Sequence, residues 1–408
     1  MPQIISTLHF KKILLSVFFL TLPYAWHLKS IPFSAADLCL LMLFALSSFE
    51  QLIIKKNINF FRGYPLLFFA CLGSCLFSIF YTDFNLAYAR ECIKYIEYFF
   101  CVFYAVKEYK NTEYAAVIQK AAVLSPVFMS LFLIINFFTA ENVFKVFLFF
   151  RHYSLSGSFI LLFSLLVLVL YINLPRQAAT LSAGGKSPGR LSVYLFHISL
   201  IINSLFIINI FLKILFLCGF ICYICMSVKT SGRIKTIIIA ALLACHTLFI
   251  TAIPQNRVLW SYYPSSISMQ DADNEIKQQH LESYASFKAV IENRGMGLGA
   301  GNYQKKIGQY YYHLPKMNTM EPFSHNAFTV YAAELGAAGL FFWMLLFVSY
   351  FIKLIKQKNN IYSVFYLIIF FAHFFTPMFI KTNGIIIVLF LTLIHFSDTG
   401  RTRLAEQQ

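Results

Sequence analysis

The sequence predicts an all-α polytopic membrane protein with about twelve transmembrane helices and one long outer loop. Hydrophobic residues make up 59% of the 408 residues, and charged residues make up only 12%. Because a soluble domain is about a quarter charged, this chain has too few polar side chains to cover its own surface. The long polar stretch Ile253–Ser324 has apolar segments on both sides, so we expect it to form the loop.

Twelve segments have the apolarity that a membrane-crossing helix of about 20 residues requires. They are Ile13–Leu28, Phe33–Phe49, Pro65–Phe80, Cys92–Val106, Ala115–Phe138, Ser158–Leu174, Leu191–Asn209, Ile214–Val228, Ile234–Ala252, Ala327–Ile352, Ile361–Ile380 and Ile385–Phe396. We divide Leu191–Val228 at Asn209–Lys213 because one helix of that length would exceed the bilayer thickness. No small-residue cleavage site follows Ile13–Leu28, which we interpret as a retained span.

Lysine and arginine predict the orientation of these segments, because they are enriched in cytoplasmic loops. With the N-terminus inside, the cytoplasmic side holds 19 of the 33 basic residues and the short outer loops hold seven. The long loop holds the other seven, but long loops have little influence on topology. We therefore expect both chain ends inside and the long loop outside. The chain then divides into four regions: 1–190 (six spans and a linker), 191–252 (three spans), 253–325 (the loop) and 326–408 (three spans and a tail).

Within the loop, residues Asn274–Asn293 show helical periodicity. Ile276, Leu281, Tyr284, Phe287 and Ile291 recur on one face, and the following Arg294-Gly295 supplies a stop signal. This pattern fits a helix that lies on the membrane surface over a site, or a lid that packs on the helical bundle.

His325-Asn326 stands where the loop meets the tenth span. A histidine near a helix start is biased towards its neutral form, which suits a proton acceptor. The alternative is an interfacial anchor without a chemical role, an interpretation that applies more strongly to His280 and His313.

Four glycines alternate in the stretch Arg294–Tyr303, at positions 295, 297, 299 and 301; we call residues 295–302 the glycine ladder. Such a pattern permits tight turns and can point successive N–H groups at an anion. A simple flexible turn explains the same composition.

Several cations lie at the outer ends of the predicted spans, namely Arg90, Lys94, Arg151 and Lys213. Lys213 is in the tightest and most apolar hairpin, where an uncompensated cation is costly. It could hold an anionic ligand or extend its ammonium to the lipid headgroups. Lys94 and Glu97, three residues apart, could pair with each other.

Metal and nucleic-acid functions have little support. All nine cysteines lie in or beside apolar segments, so Cys222 and Cys225 are interpreted as packing residues. Asp271-Ala272-Asp273 is the nearest approach to a metal-binding pair and falls in a predicted loop. The net charge of +16 is distributed as membrane topology requires, so we expect no nucleic-acid partner, no metal and no cofactor.

The order of these motifs resembles the O-antigen ligase and polymerase superfamily. GLGAGNY, SHNAF and ELGAAGL follow a short outer loop with a cation, and the resemblance covers about Leu205–Leu345. It implies a metal-independent, inverting glycosyltransferase of the bacterial inner membrane, with its site on the periplasmic side. The donor would be a glycan on undecaprenyl diphosphate, and the acceptor the lipid A-core in a ligase or another lipid-linked repeat unit in a polymerase.

The resemblance also implies roles for individual residues. His325 matches the essential family histidine, the presumed base, and Lys213 stands where the family usually has arginine. The second family arginine falls near His280, with Arg257 and Arg294 as neighbouring substitutes, and Arg151 is a further candidate diphosphate ligand. Gly297, Gly299, Gly301, Asn302, Asn326 and Glu334 would shape and position the loop. Lysine gives a less directional diphosphate contact than arginine, which is a departure from the pattern.

Both superfamily activities, ligase and polymerase, remain possible, and the excess of basic residues in the chain favours the ligase. A twelve-span transporter is the rival of a different class, since the predicted layout is common among carriers. Carriers place charges and broken helices at the membrane midplane, whereas these spans look almost uncharged in sequence.

Overall fold

The computed structural model describes residues 2–22, 35–54, 56, 66–82, 84–102, 104, 112–139, 153–179, 190–207, 210–227, 231–252, 269–311, 326–357, 360–374 and 382–397. The regular structure in these ranges is entirely helical, which confirms the predicted all-α class. The helices are α1 Pro2–Thr21, α2 Ala35–Phe49, α3 Leu66–Phe77, α4 Leu86–Ile96, α5 Thr112–Thr139, α6 Tyr153–Ala179, α7 Arg190–Leu205, α8 Ile210–Ser227, α9 Gly232–Ala252, α10 Met269–Glu292, α11 Tyr303–Lys306, α12 Ala327–Lys356, α13 Asn360–Ala372 and α14 Thr382–Ser397.

Each of the twelve predicted segments corresponds to one helix, while α10 and α11 lie within the predicted loop. Two helical stretches, Ala35–Ile54 and Ala327–Lys356, are long and apolar enough to cross a membrane, with mean hydropathies of 1.8 and 2.0. Seven shorter apolar helices have 10–17 residues among the described residues.

Several helices begin or end away from the predicted boundaries, and three of these differences affect residues considered above. Helix α4 begins at Leu86 rather than Cys92, because the Asn85 side chain caps its first turn and the charged residues there do not oppose helix formation. Helix α8 begins at Ile210, so Lys213 lies in its first turn and not in a hairpin loop. Helix α10 begins at Met269, which puts Asp271 and Asp273 in a helix instead of a loop.

The chain forms two compact units, each assembled from separate stretches of sequence. Unit 1 contains Met1–Glu50, Tyr104–Ser266 and Asn360–Ile368; unit 2 contains Gln51–Phe103, Ile267–Asn359 and Ile369–Gln408. The four regions expected from the sequence follow chain order, whereas both units draw on distant stretches.

In unit 1, α1 packs on α2 and α5, and α5 packs on α6 and α7. The side chains of α6 are buried on every face from Gly157 to Leu170, as expected for an apolar helix at the centre of a bundle. In unit 2, α12 packs on α3 and α10, and α14 contacts α12. Helix α14 is buried all round from Gly384 to Ile394.

Helix α10 is the helix predicted over Asn274–Asn293, but it packs through the face opposite to the predicted apolar stripe. Ala285, Ser286 and Ala289 are fully buried, whereas Tyr284 and Ile291 are 58% and 76% exposed. Small residues on the buried face allow the helix to approach α12 closely, and the larger apolar side chains remain on the surface.

Candidate functional site

The site in unit 2 starts from the beginning of helix α12. Asn326 is the N-cap, and its side-chain oxygen accepts hydrogen bonds from the N–H groups of Phe328 at 2.9 Å and Thr329 at 3.4 Å. The N–H of Ala327 donates to the carbonyl of His373 at 2.8 Å. These bonds satisfy donors that a helix start leaves without partners. His325, the residue before the cap, lies outside the described residues.

Helix α12 is interrupted at Gly336, which has φ 71° and ψ −170°. Only glycine adopts this backbone conformation readily. An interruption removes the i to i+4 hydrogen bonds that span it, so carbonyl groups before Gly336 and N–H groups after it need other partners.

The glycine ladder supplies those partners. The N–H of Leu298 donates to the carbonyl of Ala333 at 2.6 Å, and the N–H of Gly299 donates to the carbonyl of Glu334 at 3.0 Å. In the other direction, the N–H of Ala337 donates to the carbonyl of Gly295 at 2.9 Å. The ladder and the interrupted helix therefore complete each other's backbone hydrogen bonding.

The approach of the two segments is so close that it requires glycine at Gly297. A Cβ atom added at Gly297 would stand 2.6 Å from the nitrogen of Gly336 and still closer to the carbonyl of Glu334. Both partners are backbone atoms of a packed helix and have no room to move aside.

The N–H groups of Ala300 in the ladder and of Tyr303 just after it are engaged inside the protein as well. The N–H of Ala300 donates to the hydroxyl of Ser78 at 3.3 Å, and the N–H of Tyr303 donates to the carboxylate of Glu334 at 3.1 Å. The acidic group beside these donors is thus the chain's own Glu334. An open cradle for an external anion does not fit this geometry, and neither does a solvent-exposed turn, because residues 297–300 are buried.

Asn302 joins the ladder to the segment before α4. Its side chain is fully buried; its Nδ2 donates to Thr82 Oγ1 at 2.9 Å, and its Oδ1 accepts from Asn85 Nδ2 at 2.9 Å. Thr82 in turn donates its hydroxyl to the carbonyl of Leu298 at 3.1 Å. Every polar atom of the Asn302 side chain therefore has a partner of the matching kind.

A small apolar core supports the ladder from α10, α11 and α12. Its buried members are Ala285, Ala289, Leu298, Tyr303, Ile307, Tyr310 and Ala333. The Nδ2 of Asn293 adds hydrogen bonds to the carbonyl of Ala289 and to the hydroxyl of Tyr310. Apolar packing and backbone hydrogen bonds therefore both hold the ladder against the helix interruption.

Next to the ladder, Tyr81 is half-buried, and burial raises the pKa of its phenol to about 12. Hydrogen bonds with the Gly297 backbone and with Ser78 oppose that effect only in part. The phenol therefore stays protonated near neutral pH.

Two charge expectations are corrected here. Lys94 forms its ion pair with Glu91, one helical turn before it, and not with Glu97, one turn after it. The apolar segments also bury carboxyl groups: Glu97 is 5% exposed and Glu334 is 8% exposed. Sequence reasoning understated these buried charges because each is surrounded by apolar residues in the chain.

Lys213 is in unit 1, where it is 2% exposed. Its Nζ donates to the carbonyl of Leu205, the last residue of α7, at 3.4 Å. A cation at a helix C-terminus is favoured by the helix dipole. Nearby, His246 Nε2 and Ser204 Oγ are 3.0 Å apart, and Ser204 donates its hydroxyl to the carbonyl of Ile201 at 2.6 Å. The imidazole therefore donates through Nε2.

Of the predicted site residues, Lys213 is in unit 1 and Asn326 caps α12 in unit 2; the others separate into three groups. Gly297, Gly299, Gly301, Asn302 and Glu334 come together in unit 2. Arg294 directly precedes the ladder and is exposed, and His280 is exposed on α10. Arg151, Arg257 and His325 lie outside the described residues.

Sequence reasoning missed Ser78, Thr82 and Asn85 in unit 2 and His246 and Ser204 in unit 1. Asn85 precedes a helix, which was a usable capping signal. The others are single polar residues in apolar or short-loop contexts, and no local pattern distinguishes them. The sequence matches no protein-family model and no curated protein.

Proposed function

We propose that this protein is an integral membrane glycosyltransferase of the O-antigen ligase type, multi-pass in a bacterial inner membrane. It would transfer a glycan from undecaprenyl diphosphate to a lipid A-core acceptor on the periplasmic side. The observation that supports this most is the interlock of the ladder in GLGAGNY with the interruption in ELGAAGL. These are two of the three motifs on which the superfamily resemblance depends, and the two form one structural unit.

The chemistry needs few groups. A diphosphate is a good leaving group, so its departure requires cations that stabilise the developing charge rather than a protein acid. Lys213 and Arg294 are the described candidates, and Arg151, Arg257 and His280 are further ones. A single displacement at the anomeric carbon inverts its configuration and needs no metal.

The acceptor hydroxyl needs a base, and His325 is the residue that we assign to this role. It precedes the cap residue Asn326, whose hydrogen bonds fix the start of α12. Glu334 is an unsuitable substitute, because it is buried and accepts a hydrogen bond from the N–H of Tyr303. The positioning residues Gly297, Gly299, Gly301 and Asn302 then hold the loop that leads to this point.

The test uses purified protein in lipid nanodiscs with the lipid-linked donor and lipid A-core. We expect glycan on lipid A-core with inverted anomeric configuration. His325→Gln should lose a factor of about 10² to 10⁴ in rate, as is typical for a lost general base. His9→Gln, an exposed histidine on α1, is the matched control. Turnover of His325→Gln near the wild-type rate would contradict the base role.

The acceptor distinguishes ligase from polymerase. With single lipid-linked repeat units as the only glycan substrate, a ligase leaves them unextended, whereas a polymerase produces longer chains on the carrier. We test the ligase first; a net charge of +16 suits either activity, because both enzymes hold two phosphorylated lipids at once.

A carrier is the second candidate, because an interrupted helix with a buried carboxylate is typical of transport proteins. In carriers the freed backbone groups coordinate the substrate or ion. Here the ladder already occupies the carbonyl groups of Ala333 and Glu334 and the N–H of Ala337, which favours a supporting role. Accumulation of a solute in proteoliposomes without glycan transfer would support the carrier instead.

A further inference from the structure

Two buried cysteines face each other between helices α3 and α4 in unit 2. Cys75 on α3 and Cys92 on α4 are 0% and 7% exposed, and their Sγ atoms are 3.9 Å apart. The two residues are 17 positions apart in the chain. Because they stand on different helices, a bond between them would connect the helices rather than two turns of one helix.

The distance between the two sulfur atoms is within reach of a disulfide bond. Bonded sulfurs are about 2.0 Å apart, so the two atoms have to approach by about 1.9 Å. Rotation about a Cα–Cβ bond from one staggered position to another moves a sulfur over distances of this size. The bond therefore requires a change in the side chains rather than a new arrangement of the helices.

Tyr88 shows that this face of α4 is directed at the end of α3. It lies one helical turn before Cys92, so the two side chains share a face. Tyr88 is 3% exposed, and its hydroxyl donates to the carbonyl of Leu76 at 2.9 Å. Its N–H donates to the Asn85 side chain at 3.0 Å, which fixes the start of α4. The approach of the two cysteines is thus part of a continuous contact between the helices.

The glycine ladder rests on the same pair of helices. The hydroxyl of Ser78 donates to the carbonyl of Cys75 at 2.7 Å and accepts the N–H of Ala300 at 3.3 Å. Thr82 and Asn85, in the connection between α3 and α4, bond to a buried side chain of the ladder. The spacing of α3 and α4 therefore determines where the partners of the ladder stand.

The predicted orientation places both cysteines near the outer face. Cys75 is five residues before Phe80, the outer end of the third predicted span, and Cys92 is the first residue of the fourth. The bacterial periplasm is an oxidising compartment in which disulfides form and persist. The orientation and the compartment are taken from the proposed function, but glycan transfer itself is not required.

We propose that Cys75 and Cys92 form a disulfide bond that joins α3 to α4 and fixes the surface on which the glycine ladder rests. The bond forms by thiol–disulfide exchange with a periplasmic thiol oxidase. The thiolate of Cys92, the less buried residue, attacks the oxidase disulfide and displaces one of its sulfurs. The thiolate of Cys75 then attacks the Sγ of Cys92 and releases the oxidase. The two cysteines lose two electrons, which reduce the oxidase disulfide, and their two protons end on its thiols.

The bond is tested on the full-length wild-type protein, so that no variant has to fold. Cells are treated with N-ethylmaleimide, and the protein is then denatured and digested without reductant. Two of the nine cysteines should stay unmodified until a reductant is added. Mass spectrometry should find the peptide of Cys75 joined to that of Cys92. Nine modified cysteines without reductant, or either residue joined to a different cysteine, would overturn the proposal; nine would identify a packed pair of thiols.

The effect on the fold is tested with Cys75→Ala, which removes one partner. Cys71→Ala is the matched control, because Cys71 is 1% exposed and lies one turn earlier on the same helix. Without reductant, Cys75→Ala should melt about 5 °C below Cys71→Ala, since a disulfide restricts the unfolded chain. With reductant present during unfolding, the two variants should melt together.

Equal melting temperatures without reductant would overturn the supporting role of the bond. Hydrogen exchange of the Ala300 amide gives a second measurement, and it should be faster in Cys75→Ala than in Cys71→Ala. The proposed function fails separately. If the wild type contains the linked peptides but transfers no glycan, the disulfide stands and the transferase proposal is wrong.

Discussion

The N–H of Gly299 donates to the carbonyl of Glu334 at 3.0 Å, in the place where an unbroken helix would use the N–H of Ala338. A loop residue thus replaces a helical residue in the hydrogen-bond pattern of α12.

Gly297→Ala should destabilise the protein by about 1–3 kcal/mol, the usual cost of overpacking. The added methyl group would meet the backbone of Glu334 and Gly336. Thermal and denaturant unfolding of the purified protein in detergent measure the change. Gly308→Ala, where the new Cβ has open space, should stay within about 0.5 kcal/mol of the wild type. Equal stability of the two variants would show that the close approach does not exist.

Gly336→Ala should loosen the ladder rather than α12. Alanine disfavours the backbone angles of Gly336 and favours a continuous helix, which would take back the carbonyl groups that the ladder uses. Hydrogen exchange of the Leu298 and Gly299 amides should accelerate by about tenfold, equivalent to ~1.4 kcal/mol of local stability. Gly232→Ala should leave these two amides unchanged. Unaltered exchange of these amides in Gly336→Ala would show that their protection does not depend on the interruption of α12.

Asn302→Asp should cost more than about 1–3 kcal/mol, the penalty for an unsatisfied buried polar group, because the new group also carries charge. The carboxylate cannot donate to Thr82, whose own hydroxyl is committed to Leu298. The penalty should shrink as the pH falls, because a protonated aspartic acid regains a donor. Unfolding measured at two pH values, against the wild type, tests this direction. A penalty that grows at lower pH would contradict the assigned hydrogen bonds.

Lys213 should be needed for transfer more than for folding. Lys213→Met keeps most of the apolar stem and should preserve the melting temperature, yet it should abolish transfer if the ammonium holds the diphosphate. Lys213→Arg should retain transfer. Lys235→Met is the control, since Lys235 also donates to a helix carbonyl, that of Cys225, at 2.7 Å. Full transfer by Lys213→Met would show that Lys213 only caps the C-terminal end of α7.

The orientation is tested with single cysteines in a background without the native ones. Cysteines at Ser268 and Ser324 should react with a membrane-impermeant thiol reagent added from outside the inner membrane, because the 19-to-seven asymmetry of charge predicts an outer loop. A cysteine at Ser182 should not react. Labelling at Ser182 alone would invert the predicted topology.

Apolarity and periodicity were enough to predict thirteen of the fourteen helices in the described residues, including α10 but not the short α11, since both properties are local. They were not enough to predict the interruption of α12, because ELGAAGL has the composition of a continuous apolar helix. Its signal lies in the pairing of Gly336 with a second glycine-rich stretch. The bond between Asn302 and Thr82 spans 220 residues, and no local pattern specifies such a contact. The sequence predicted the apolar stripe of α10 but left open which face packs on the protein, and in the structure it is the opposite face, with Ala285, Ser286 and Ala289, that packs.

The interlock also has a consequence for biogenesis. A chain is synthesised from its N-terminus, and Thr82, Asn85 and the ladder all precede Gly336 in the sequence. When the ribosome completes α12, every residue that bonds to the ladder side of the interruption has already been made. The backbone groups at the interruption therefore never have to wait for a later segment, whereas the N–H of Ala327 at the start of the helix gains its partner only when His373 has been made.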